Sequence, residues 1–169
     1  RHSGVGWSGS GATPHVVLDH ASVGNAAISI ADDYVTVEWL EVMRGSSTGT
    51  PALISVDNLT AGANDIVIRQ NLLASGAGRG VRIVDPDTVV LIYNNILFSN
   101  AGHGVSLEPS SAWTAGAAIR AFNNTVALPL TNLVTRRAFN SSAATNANVV
   151  LRNNIGDNRG NSNYGLGFN

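Results

Sequence analysis

A chain of 169 residues, 44% hydrophobic and only 12% charged, supports one core rather than two and is neither a coiled coil nor a charged disordered chain. Its formal net charge of -1 gives no attraction to nucleic acid, and no apolar run is long enough for membrane insertion. With no Cys, and with Arg as the only basic residue besides His, the chain has no disulfides, Cys-ligated zinc, thiol nucleophile or lysine Schiff base.

In chain order, residues 1–15 form a Gly- and Ser-rich segment without periodicity. Val16-Val17-Leu18 opens a series of strand-like pieces and runs into Asp19-His20. Apolar-polar-apolar alternation marks Ile28-Ser29-Ile30 and returns at Ile54-Ser55-Val56, Val81-Arg82-Ile83 and Val105-Ser106-Leu107. Two of these follow matching turns, Gly78-Arg79-Gly80 and Gly102-His103-Gly104, where glycine is expected to supply positive φ. A longer segment type alternates with them at residues 35–42, 66–73, 90–97, 119–126 and 149–156. Asn71, Asn95, Asn124 and Asn154 stand in one column of it, at steps of 24, 29 and 30 residues, with 31 from Leu40 to Asn71. Residues 108–116 read as an excursion between strands, Leu133-Val134 as a further strand-like piece, and residues 159–169 as a tail.

Helical spacing of apolar residues is missing throughout. A β-sandwich would use short strands too, but it gives no reason for the same Asn to return once per unit. Stacked coils do, because equivalent residues fall in columns and coils differ only in loop length. The expectation is an all-β parallel β-helix over residues 16–158, about five coils, right-handed by the chirality of parallel crossovers. The four asparagines form its internal ladder, ending where Leu40 breaks the column.

The phrases at residues 64–71, 91–96 and 149–155 resemble repeat units of right-handed parallel β-helix proteins of the pectate-lyase-like superfamily. That resemblance implies three parallel sheets per coil, an Asn ladder at a tight turn and a carbohydrate-related role. Gly102-His103-Gly104-Val105-Ser106 is similar to the glycine-flanked histidine segment of polygalacturonase-type hydrolases, which implies that His103 assists an acidic constellation. The adjacent acidic pair here, Asp32-Asp33, lies several coils earlier, and the basic substrate-binding motif is absent. Val17-Leu18-Asp19-His20 resembles the strand end at which pectate lyases place a calcium-ligating Asp, which implies Ca²⁺ at Asp19 with His20 beside it. The downstream arginine pair of those enzymes is missing. Asp85-Pro86-Asp87 offers two carboxylates, short of the six to eight oxygens Ca²⁺ takes. Sequons stand at Asn58, Asn123 and Asn140, with Asn123 expected inside the turn.

If Ile66 and Ile68 point inward, the column Glu38, Arg69, Tyr93, Phe122, Arg152 points outward, as does Thr36, Val67, Leu91, Arg120, Val150. Aromatic and Arg side chains in a row stack on sugar rings and bind their hydroxyls or carboxylates. Arg69, Tyr93, Phe122 and Arg152 are therefore the candidate ligand-binding residues. The sequence favours a noncatalytic extracellular or cell-surface β-helix, presenting a rigid face to a polysaccharide or a protein partner and needing no cofactor. The alternative is a polysaccharide lyase or glycoside hydrolase built on Asp19, His20 and His103. Neither terminal segment reads as a cap, so head-to-tail self-association or continuation in a longer polypeptide is expected.

Overall fold

A computed structural model describes residues 16–20, 26–32, 34–43, 52–57, 65–84, 89–108, 117–129, 136–141, 148–157 and 166–168. The strands are β1 (Val16–Asp19), β2 (Ala26–Ile30), β3 (Thr36–Glu38), β4 (Leu40–Met43), β5 (Ala52–Val56), β6 (Ile66–Arg69), β7 (Leu72–Ala74), β8 (Arg79–Ile83) and β9 (Val89–Tyr93). They continue as β10 (Ile96–Phe98), β11 (Val105–Leu107), β12 (Ala118–Phe122), β13 (Thr125–Ala127), β14 (Phe139–Ser141), β15 (Val149–Arg152), β16 (Ile155–Asp157) and β17 (Leu166–Phe168). Every third strand joins the same parallel sheet. Sheet A runs β1-β4-β7-β10-β13-β16, sheet B β2-β5-β8-β11-β14-β17 and sheet C β3-β6-β9-β12-β15. This is a parallel β-helix of about five coils. Six strands at the usual rung spacing make a stack about 24 Å tall.

Each long sequence segment is two strands folded around a corner. In β6 the inward residues are Ile66 and Ile68; the chain then turns at Gln70, φ 57°, and leaves along β7 with Leu73 inward. Trp39, Asn94, Asn123 and Asn153 take the same left-handed conformation in the other coils. After Gln70, Asn94, Asn123 and Asn153 the next residue is the ladder Asn, and after Trp39 it is Leu40. Each buried amide is saturated by its neighbour: Asn71 Nδ2 and backbone N–H donate to Asn95 Oδ1 at 3.1 and 3.0 Å. Asn95 donates to Asn124 Oδ1 at 3.0 and 3.1 Å, and Asn124 to Asn154 Oδ1 at 2.9 Å from both groups. The second Nδ2 proton goes to a backbone carbonyl, Ile68 for Asn95 and Ile92 for Asn124. At Leu40 the column ends as expected, on a backbone N–H donating to Asn71 Oδ1 at 3.1 Å.

Inside the coils, Val42, Leu73, Leu97 and Val126 of sheet A meet Ile54, Val56, Val81 and Ile83 of sheet B and Ile66, Ile68, Ile92 and Ile119 of sheet C, all fully buried. Branched side chains suit a parallel sheet that is covered on its inner face along the whole stack. Burial of one such side chain contributes roughly 1.5–3 kcal/mol.

Three sequence expectations need correction. Gly80, Gly102 and Gly104 of the turns are not used for positive φ; they allow close approach. A Cβ on Gly104 would sit 2.3 Å from Val126 Cγ1 and 2.5 Å from the Ala138 carbonyl oxygen, and one on Gly102 would meet the Gly78 backbone at 2.9 Å. Asn123 is exposed on the outside of its corner, and the buried residue is Asn124. Strand β17 falls in the stretch read as a tail and pairs with β14, extending sheet B. Strand β14 was also unread, because Ser141 fills the inward position held by Leu107 and Ile83 and breaks the apolar alternation. Residues 1–15, Asp33, Asn58, Asp85-Pro86-Asp87, residues 109–116 and Leu133-Val134 lie outside the described residues.

Asn95 accepts and donates at the centre of the ladder, so Asn95→Ala should lower unfolding free energy by about 1–3 kcal/mol by stranding the Asn71 amide and the Ile68 carbonyl. Urea denaturation of the two proteins measures it, with an unchanged slope expected.

Candidate functional site

Fixed register turns each outer column into an array. On sheet C the register runs Glu38, Arg69, Tyr93, Phe122, Arg152, and beside it Thr36, Val67, Leu91, Arg120, Val150. Arg69 is held from both sides: its Nε donates to Glu38 Oε2 at 2.7 Å and its Nη1 to the Tyr93 hydroxyl at 2.9 Å. The guanidinium carbon stands 5.9 Å from the Tyr93 ring centroid. Arg69 therefore organises the strip and brings no uncompensated charge to it.

Arg120 and Arg152 differ. Both are exposed and, among the described residues, neither is in an ion pair. Arg120 lies two residues before Phe122 on β12, and Arg152 is the register partner of Phe122 on β15. A half-buried aromatic ring is thus flanked by two available guanidiniums. Along the outer corner the left-handed residues add a row of exposed amides, Asn94, Asn123 and Asn153. Their signal was the Asn-Asn doublet itself: the second Asn of each pair goes inward, and the left-handed turn leaves the first outside.

Sheet B carries a second cluster that the sequence showed only through His103. The Arg79, His103 and Arg137 positions align across three coils, linked by Gly80 N–H to the His103 carbonyl at 3.0 Å and Gly104 N–H to the Arg137 carbonyl at 3.1 Å. Arg82 bridges two carboxylates, Nη1 to Asp57 Oδ1 at 3.0 Å and Nε to Glu108 Oε2 at 3.1 Å. Ser55 donates to Asp57 at 2.5 Å, and Ser106 to Glu108 at 2.6 Å. Arg79 pairs with Glu108, and Arg137 with Asn140 at 2.9 Å. Burial opposes ionisation of Glu108, yet the hydrogen bonds from Ser106 and Arg82 and the charge of Arg79 hold its carboxyl below the ordinary value.

His103, read from sequence as an exposed turn residue, is half-buried. Its Nδ1 accepts the Arg137 backbone N–H at 3.1 Å. Burial and then the charge of Arg79 lower its pKa, so the neutral ring carries its proton on Nε2. In that tautomer neither nitrogen is a ready general base. Arg82 spans the two carboxylates, and Glu108, held below its ordinary value, is not a protonated general acid.

Asp19 and His20 are not gathered with His103. Asp19 pairs in register with Met43, which aligns with Ala74 and then Phe98, placing the end of β1 three rungs from the strand preceding His103. His20 Nδ1 is buried without a hydrogen-bond partner. Asp19 has Met43 as its register neighbour, and among the described residues no three His, Asp or Glu side chains are placed to hold a metal ion. The outer face of sheet A exposes Ile96 at 42%, Phe98 at 46% and Ile155 at 63%, in register columns that also hold Glu41, Asp19 and Asp157. Among the described residues no helix is long and apolar enough to cross a membrane. Comparison with protein-family models, curated proteins and solved structures finds no match.

The sheet B cluster makes stability pH-dependent in two steps. His103 has a folded pKa below its ordinary 6.5, so the unfolded chain binds the extra proton first and stability falls as pH drops below 6.5. Glu108 has a folded pKa below its ordinary 4.5, so its contribution is present above 4.5 and is lost as pH falls through the lowered value. Urea midpoints measured across this range should fall on acidification. His103→Gln should remove the upper step and Glu108→Gln the lower.

Proposed function

We propose that this β-helix is a noncatalytic extracellular module that presents sheet C and its adjoining corner to a polysaccharide. The observation that carries the reading is Phe122 set between the exposed Arg120 and Arg152, neither in an ion pair among the described residues, on a backbone held by the ladder. An aromatic face stacks on a pyranose ring, and planar guanidinium forks take carboxylate, sulfate or hydroxyl oxygens in bidentate fashion. Preorganisation matters here, because a rigid strip loses little conformational freedom when an extended chain settles on it. The resemblance to the pectate-lyase-like superfamily supports a carbohydrate partner. Head-to-tail association of copies belongs to the same reading, as a way of lengthening the strip.

Lyase or hydrolase activity is the second reading, favoured by the meeting of His103 and Glu108 on one face. The buried tautomer of His103 and the Arg82 bridge weigh against it. Release of unsaturated products or new reducing ends from polysaccharides would establish the enzyme instead.

Titration calorimetry against acidic and neutral polysaccharides tests the proposal. Phe122→Ala should weaken binding about tenfold, or about 1.4 kcal/mol. Arg120→Ala with Arg152→Ala should weaken it further and flatten its salt dependence, since both charges are exposed to screening. Unchanged affinity in both variants would remove sheet C as the contact face.

A further inference from the structure

We infer that the corner around Trp39 is a binding site for a neutral hexopyranose unit. The inference rests on the polysaccharide reading above and gives one end of the strip its own specificity. Trp39 occupies the left-handed corner position, φ 59°, that Gln70, Asn94, Asn123 and Asn153 fill in the following coils. Asparagine tolerates that conformation, whereas a bulky aromatic residue in it is a true outlier. Folding alone gives no reason for tryptophan there, and such strain collects at functional positions.

The surroundings of the ring point to its use. Trp39 is half-exposed and lines two adjoining clefts. One is shared with Thr36, Glu38 and Arg69, the other with Gln70, Asn94 and Ile96. Its indole N–H has no hydrogen-bond partner among the described residues, nor do the side-chain amides of Gln70 and Asn94. A flat apolar face with unengaged amides beside it is the chemistry that recognises a sugar: stacking on ring C–H groups and hydrogen bonds to hydroxyls. Charge selects the class of sugar. Glu38 and Arg69 neutralise each other at 2.7 Å, so this end of the strip carries no excess charge, whereas the Phe122 end carries two unpaired arginines. A carboxylate entering the Trp39 clefts meets Arg69 already paired with Glu38, so it finds no free cation there.

The test reads Trp39 directly. In a Trp7→Phe, Trp113→Phe background of the full chain, Trp39 is the sole tryptophan and its emission reports its own site. Titrations use β-linked tetrasaccharides of glucose and of mannose as neutral probes and a galacturonate tetrasaccharide as the acidic one. The expected result is a saturable emission change with a neutral tetrasaccharide and at least tenfold weaker response to the acidic one. The binding should survive Phe122→Ala and Arg120→Ala. Trp39→Asn, made in the unaltered chain and followed by calorimetry, should abolish neutral-probe binding while leaving the thermal midpoint equal or higher, because Asn suits the left-handed corner. That midpoint separates loss of a site from loss of the fold.

No saturable change with either neutral probe up to about 10 mM, equal or tighter binding of the acidic probe, or a lowered midpoint in Trp39→Asn would each overturn the inference. The polysaccharide reading fails separately, through unchanged polymer binding in the Phe122 and Arg variants.

Discussion

Every corner of a coil carries backbone N–H and C=O groups that turn away from the sheet ladders, and a buried group left unpaired costs about 1–3 kcal/mol. The internal Asn column meets that requirement. The Oδ1 of Asn95, Asn124 and Asn154 each takes two protons from the coil before it, and the Nδ2 of Asn71, Asn95 and Asn124 each supplies one to the neighbouring amide and one to a carbonyl beneath. This pairing works at one register only. A slip of one residue would remove the amide from its partner and turn the inward isoleucines outward. The ladder therefore dictates that Arg69 faces Tyr93 and that Phe122 faces Arg152.

Because the columns cannot drift, chemistry on the outer faces is set by which residue each coil contributes. Sheet C has a compensated end, Glu38 with Arg69, and an uncompensated end, Arg120 with Arg152. Sheet B has the opposite design. Its arginines and carboxylates are spent on one another, with Arg82 spanning Asp57 and Glu108 across three coils. Such a lattice of charge-assisted hydrogen bonds holds neighbouring coils together, and its acid sensitivity follows from the protons that His103 and Glu108 resist in the folded state. Sheet B thus serves cohesion, and sheet C is the face proposed for contact.

Left-handed corners link the two functions. The residue before each ladder Asn must adopt positive φ, which places its side chain outside, between sheets C and A. Asparagine satisfies this cheaply and yields an exposed amide row. Tryptophan at position 39 satisfies it at a conformational cost.

The spacing of Asn71, Asn95, Asn124 and Asn154 and the alternation around Ile68, Ile92 and Ile83 were sufficient by themselves to determine a parallel solenoid, its ladder and the outer columns. Those are repeated local signals, and repetition is visible in a linear chain. Strand β14 was hidden because Ser141 sits where an apolar residue was expected. The use of Gly102 and Gly104 was misread because close approach to Gly78 and Val126 is a relation between coils. Asp57, Arg82 and Glu108 are separated by 25 and 26 residues and share no motif. Only stacking brings them into one network. Sequence determined the period and the faces; the tertiary structure decided which charges are paired and which remain available, because pairing depends on neighbours one coil away that loops of unequal length bring into line.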